Sequence, residues 1–358
     1  MKWRMGALTA TMLILGAGVA SAGHQFSHGN SGTPSKQFAG DFVPPKDSEW
    51  GWDLGGFGGE QKGKTLAYNP VIFVHGNSED QTFFDVASES PPTVVNVRKK
   101  YKAAGYADQE VWALAYNGVR CGSNACGTAN TVNLPDMFNF IQAVRSYTGA
   151  AKVDIVAHSL GVTILRRTVK DHPELLDQIE DFVGSAGANH GTSSCRGSET
   201  TVYGCNEIVP GSAWLADLNS WNPKGEGDET PGPVRYMTIF DGSGVGDQFF
   251  LNLSPLYDDS KSPRLSGADN RQLPNTPHFT LVRGQDAINL HLPFVRDNNN
   301  LARADGGPVT TPEARAAERS RGTAATGPPS WSRLGPMLLL AGLLLWAALR
   351  ISRRRPAA

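Results

Sequence analysis

Val153-Asp-Ile-Val-Ala-His-Ser-Leu-Gly161 is the stretch on which the reading of this chain turns. A mostly apolar run, Val153 to Val156, leads into a serine flanked at two residues' distance by Ala157 and Gly161, and a helical pattern runs on to Lys170. A strand that bends sharply into a helix exposes the side chain at the bend, so a base and a substrate carbonyl can both reach the Ser159 hydroxyl. The residues two before and two after that serine crowd each other, so both have to be small. Glycine is usual at both places; here Ala157 replaces the first. The competing reading is an ordinary strand-to-helix turn with a solvent-exposed serine.

Elements of both kinds alternate around this bend. Val71 to Val74 is a short apolar strand after Pro70, Val94 to Ala104 has helical spacing and stops at Gly105, and Val111 to Tyr116 is a second strand. Leu134, Met137, Phe138, Ile141, Val144 and Tyr147 share roughly one helix face, and Gly149 closes that helix. Ile179 to Val183 and Val234 to Phe240 are later strands. The alternation predicts a mostly parallel sheet with helices on both faces. With the bend, it resembles the α/β-hydrolase fold, in which functional side chains gather at the carboxyl ends of the strands.

A serine hydroxyl is a weak nucleophile until a base takes its proton and a third group orients that base. In this fold the chain order is serine, acid, histidine. The strand ending at Phe240 runs into Asp241-Gly-Ser-Gly-Val-Gly-Asp247. Asp247, carried back by a glycine-rich excursion, is preferred as the acid, with Asp241 the alternative; Asp258 and Asp259 follow no clear strand. His172 and His190 precede the acid and are out of order. His278 lies in a loop just before a helix-like run through Val282, Ile288 and Phe294, and is the expected base; His291 sits inside that run. Donors for a developing oxyanion are expected from the backbone N–H groups of Leu160 and of Asn77, the latter in the strand-exit loop His75-Gly-Asn77.

Pro70-Val-Ile-Phe-Val-His-Gly-Asn77, Tyr147-Thr-Gly149, the serine segment and Gly187-Ala-Asn-His-Gly191 resemble exported bacterial lipases with an A-H-S-x-G bend, above all lipase-like extracellular poly(3-hydroxybutyrate) depolymerases. The resemblance runs from about Pro70 to Phe294 and weakens beyond Gly191. It implies an acid in Gly244-Val-Gly-Asp-Gln248, a histidine in Thr276-Pro-His-Phe279, and ester hydrolysis without metal or cofactor. Thr192 to Pro233 departs from the pattern. It holds Cys195, Cys205, Trp214 and Leu215 and stands where a lid-like, substrate-binding insertion would be, with Trp214 and Leu215 as candidate substrate contacts.

Among 358 residues the formal net charge is only −1, with no basic face of the kind nucleic-acid binding demands. Lys2, Arg4, an apolar Ala7 to Ala20 and Val19-Ala-Ser-Ala22 read as a signal peptide over 1–22. Residues 23–52 read as a flexible N-terminus, with His24 and His28 within it; 53–300 as the catalytic domain; 301–333 as a linker. Residues 334–351 are a marginally long apolar segment, transmembrane or sorting, and 352–358 a basic cytoplasmic tail. Export agrees with two local disulfides, Cys121 with Cys126 and Cys195 with Cys205, although four cysteines allow three connectivities.

The expected protein is thus an exported, periplasmic or cell-surface serine hydrolase, anchored by its C-terminal segment unless that is processed off. It cleaves lipid, small or polymeric carboxylic esters through an acyl-enzyme. The alternatives are a poly(3-hydroxybutyrate) depolymerase, a hydrolase of another acyl bond, and a non-catalytic surface-binding protein on the same fold.

Overall fold

A computed structural model describes residues 36–48, 51, 53–77, 79–86, 94–116, 129–199, 203–220 and 229–297. Within them lies an eight-stranded sheet: β1 (Lys36–Phe38), β2 (Gly55–Gly58), β3 (Val71–Val74), β4 (Val111–Ala115), β5 (Val153–His158), β6 (Ile179–Ser185), β7 (Arg235–Phe240) and β8 (Asp269–Gln272). Their order is β1-β2-β4-β3-β5-β6-β7-β8. From β4 to β8 all neighbours run parallel, whereas β2 meets β4 antiparallel and carries β1 parallel to itself. The helices are α1 (Val97–Ala103), α2 (Leu134–Thr148), α3 (Leu160–Asp171), α4 (Tyr203–Ile208), α5 (Ala213–Asn219), α6 (Thr280–Arg283) and α7 (Gln285–Asp297).

The period-two alternation of a strand sorts the core into two layers. Ile72, Val74, Ile155 and Ala157 point to one face, where α2 and α3 cover them with Met137, Phe140, Ile141, Ile164 and Leu165. Val71, Phe73 and Val156 point to the other, under Val97 and Tyr101 of α1, Leu281 and Val282 of α6, and Ile288 and Val295 of α7. The expected fold class is therefore the one observed.

Three parts differ from expectation. The stretch read as a flexible N-terminus contributes β1 and Phe42, because Phe38 and Phe42 reach across to Trp112 and Phe140 and find an apolar shelf. β2 is glycine-rich and β8 is Asp-Asn-Arg-Gln, so neither carries an apolar strand pattern; both lie toward the sheet margins, where backbone pairing suffices. The helical run after His278 is two helices, broken at Gly284, whose ψ of 152° is extended. The signal peptide, linker, apolar C-terminal segment, basic tail, Cys121 and Cys126 all lie outside the described residues. Among the described residues no helix is long and apolar enough to cross a membrane.

Candidate active site

The carboxyl ends of β3, β5, β6 and β7 fall side by side, as the pairings Val74 with Ala157, His158 with Ser185, and Ser185 with Ile239 require. Each strand there releases a loop. Ser159, at the end of β5 and the start of α3, has φ 52° and ψ −128°, a region that residues with a Cβ rarely occupy. Its N–H donates to the Ser185 carbonyl at 2.8 Å, which helps hold the bend. The small residues demanded by the sequence pattern have visible reasons. A Cβ on Gly161 would stand 2.2 Å from the His75 carbonyl oxygen, and one on Gly76 would stand 2.7 Å from the Ser159 Cβ. The helix and the His75-Gly-Asn77 loop are in contact through their backbones, and only glycine leaves room.

Around Ser159 three side chains line up. The Ser159 hydroxyl lies 2.9 Å from His278 Nε2, and His278 Nδ1 lies 2.8 Å from Asp247 Oδ2. A carboxylate only accepts, so Nδ1 carries the imidazole proton and Nε2 is left to accept from the serine. His278 and Asp247 are both buried, at 2% and 1% exposure, so water does not compete for these bonds. Burial, assisted by the neighbouring His158, depresses the His278 pKa below its usual value despite the Asp247 hydrogen bond. The imidazole therefore stays neutral and able to take a proton. Asp247 is itself held by the Phe249 N–H at 2.9 Å.

Asp241, the alternative acid, does something else. Its carboxylate accepts from the Ser243 hydroxyl at 2.6 Å and from the N–H groups of Gly244, Gly246 and Thr276 at 3.0, 3.2 and 3.1 Å. It thereby ties the loop that carries Asp247 to the loop that carries His278. Burial would raise its pKa, but these hydrogen bonds outweigh burial and lower it. Asp258 accepts from Ser260, and Asp259 from Ser193.

The remaining histidines are accounted for elsewhere. His291 is fully buried between Tyr101 and the Val282 carbonyl, and burial brings its pKa down to about 4. His172 stacks on Phe138. His190 is paired with Glu229 at 2.6 Å and with the Ser262 carbonyl.

Leu160 is the first residue of α3, so its N–H is one of those with no intrahelical acceptor and sits at the positive end of the helix. Asn77 is exposed in the loop that Gly76 presses against Ser159. Leu215 is 3% exposed on α5, while Trp214 donates to Thr131 at 3.1 Å and lies under the Arg167 guanidinium. Trp214 thus ties α5 to the loop before α2 and to α3. The insertion is closed by the Cys195–Cys205 disulfide and pinned by Thr192 to the Phe249 carbonyl at 2.7 Å and by Thr131 to Glu207 at 2.6 Å. The apolar side chains that do flank the imidazole are Phe249 and Phe279, 40% and 43% exposed, with ring centroids 4.6 and 5.7 Å from His278.

Sequence reasoning missed Glu79 and His158. Glu79 accepts the Gly76 N–H at 2.7 Å and faces His158 Nδ1 at 3.1 Å. Their only signal in the sequence was proximity to the two motifs. Among the described residues no group of three or more His, Cys, Asp or Glu is placed to hold a metal ion.

The solved structures that resemble this fold include a lipase from Bacillus licheniformis in its mature form. It is 13% identical, with a TM-score of 0.50, and the similarity covers 68% of this chain and 98% of that one. The chain has an α/β-hydrolase fold. The propeptide form of the same Bacillus lipase is 14% identical at a TM-score of 0.51, covering 70% and 55% of the two chains. Lipase B of Aspergillus fumigatus is 16% identical at 0.45, covering 65% and 57%. Residues 68–230 match the family described as lipase (class 2). That match takes in Asn77, Ser159 and most of the insertion, and stops short of Asp247 and His278. No curated protein matches the chain at the sequence level. The family match and the fold together support a hydrolase acting on esters.

Proposed function

We propose that this α/β-hydrolase is a serine esterase or lipase that works through an acyl-enzyme. The single observation that carries the proposal is the continuous hydrogen-bonded line from Ser159 through His278 to Asp247. Ser159 attacks the ester carbonyl while His278 Nε2 takes its proton. Asp247 orients the imidazole and stabilises it once charged. The N–H groups of Leu160 and Asn77 hold the oxyanion of the tetrahedral intermediate. Its collapse breaks the ester C–O bond, and the proton on His278 goes to the leaving alcohol. Water, deprotonated by the same imidazole, then attacks the acyl-enzyme and releases the acid. Phe249 and Phe279 give the imidazole apolar walls, suited to an acyl or alkyl group rather than to a charged one.

Export by the 1–22 segment and retention at the membrane by the 334–351 segment, with the arginines inside, belong to the same proposal; they rest on the sequence pattern. A membrane-held enzyme favours lipid and small esters over a polymer granule, so poly(3-hydroxybutyrate) is the second substrate to test.

The test is Ser159→Ala assayed on p-nitrophenyl esters. Turnover is expected to fall by about a millionfold, to the level of the oxyanion donors alone; unchanged turnover removes the proposal. A fluorophosphonate probe labels only an activated serine, so failure of the native protein to react identifies a non-catalytic binding protein. A panel of short-chain, long-chain and thioester substrates, together with polyhydroxybutyrate, then assigns the acyl class.

A further inference from the structure

We infer that His158 is a buried imidazolium, paired with Glu79, that acts as a positioning residue by clamping the oxyanion loop to the histidine loop behind Ser159. The argument begins with what surrounds the ring. His158 is fully buried, stacked at 4.9 Å against Phe83 and 4.6 Å from the His278 ring. Nδ1 lies 3.1 Å from Glu79 Oε2, and Nε2 lies 3.2 Å from the His278 backbone carbonyl oxygen. A carbonyl oxygen accepts, and so does a carboxylate. Either neutral tautomer would turn a bare nitrogen lone pair toward an acceptor, out of reach of water. The doubly protonated ring satisfies both.

The alternative, a protonated Glu79 donating to His158, is disfavoured by its other neighbours. The same Oε2 accepts the Gly76 N–H at 2.7 Å, and the Arg283 guanidinium lies over the Phe83 ring with its charge acting on Glu79. Burial alone would raise the Glu79 pKa, but the charge and hydrogen bond of His158 and the Gly76 N–H bring it below the ordinary value. The other ionisable groups around His158 are His75 at the end of β3, Asp80 beside Glu79, and His278 with its partner Asp247. His75 takes no part in the pairing: its Nδ1–H donates to the Gly76 carbonyl at 2.8 Å, its Nε2 accepts the Tyr116 N–H, and burial keeps it neutral.

The consequence is mechanical and electrostatic. One side chain, adjacent in sequence to Ser159, holds Gly76 through Glu79 and holds the backbone of His278 directly. A positive charge 4.6 Å from the His278 ring also opposes that ring's protonation before substrate arrives. As a positioning residue acting on the triad, His158 presupposes the serine-hydrolase reading; its charge state does not.

The test is nitrogen-15 spectroscopy of the labelled protein at pH 7.5. An imidazolium with protons on both ring nitrogens is expected, lost in His158→Gln and retained in His190→Gln. A His158 with one bare ring nitrogen overturns the inference. Glu79→Gln provides a second route if the first variant fails to fold: it removes the negative partner and can turn an amide N–H toward Nδ1, so the His158 ring is expected to turn neutral. An imidazolium that persists in Glu79→Gln counts against the pairing. In the folded His158→Gln variant the acid limb of kcat/KM should move up by about half a pH unit or more, with kcat reduced. An acid limb that stays in place overturns the electrostatic role. The spectra do not depend on turnover, so their failure is distinct from an active Ser159→Ala.

Discussion

On the proposed assignment, Asp241 serves the reaction as a tie between loops. It fastens Gly244 and Gly246, on one side of Asp247, to Thr276, two residues before His278. Asp241→Asn keeps the shape but replaces a charged acceptor with an amide that also carries donors. We expect kcat to fall about tenfold or more, with KM little changed, because the loss is one of alignment; a kcat within twofold of the native value would refute this role. The same group predicts a pH dependence. Its folded-state pKa lies below the ordinary value of 3.8, so its contribution to stability is complete above about that pH and is lost as pH falls through the folded-state value. Acid denaturation monitored by circular dichroism should show this component in the native protein and not in Asp241→Asn. The sequence put both aspartates after β7 and preferred Asp247 only on the glycine-rich excursion before it, since chain order suits either. The roles separate only when the excursion between them is closed and hydrogen bonds can be counted.

At the scale of elements, the segment Gly187-Ala-Asn-His-Gly191 serves as a junction. Arg166 of α3 donates to Asn189 at 3.2 Å and to Asn219 of α5 at 3.0 Å, and the Asn219 amide returns a bond to the Asn189 carbonyl at 2.8 Å. Burial brings the Arg166 pKa down to about 10, against the opposing charge of Glu229 and still far above neutral, so the side chain remains charged. Arg166→Met should lower the unfolding free energy by about 1–3 kcal/mol for the buried amide oxygens left without a donor, read as a lower denaturant midpoint. An unchanged midpoint would mean that the insertion docks without this link. The elements from β3 to β6, and β7 after them, were legible because most pair an apolar period with a nearby glycine or proline. α4 and α5 were not, because the insertion lacks a long apolar period and is held instead by one disulfide and by polar contacts to distant loops. The contacts of Trp214 were invisible for the same reason, since Thr131 and Arg167 lie far from it in the chain.

For the molecule as a whole, the outer edge of the sheet decides how far the folded unit extends. Phe42 meets Phe38, Trp112, Phe140 and Tyr147 at centroid separations of 4.9 to 6.3 Å, and Tyr147 also bonds Asp41. Phe42→Ala should cost about 3 kcal/mol or more, read by thermal unfolding. A loss well under about 1 kcal/mol would show that the first described strand is an appendage. The sequence assigned this stretch to a flexible terminus because a few apolar side chains among glycine, serine and proline make no period. Their partners, Trp112, Phe140 and Tyr147, lie far along the chain.

The order in which strand ends supply the site also has a meaning in time. The oxyanion loop of the proposed assignment follows β3 and its serine follows β5, but its base comes only after β8. On the proposed assignment, a polypeptide halted anywhere before His278 can pair its central strands and still be chemically silent. Under that assignment a ribosome releases no ester-cleaving fragment before the imidazole emerges, and hydrolytic competence waits for the loop that follows β8.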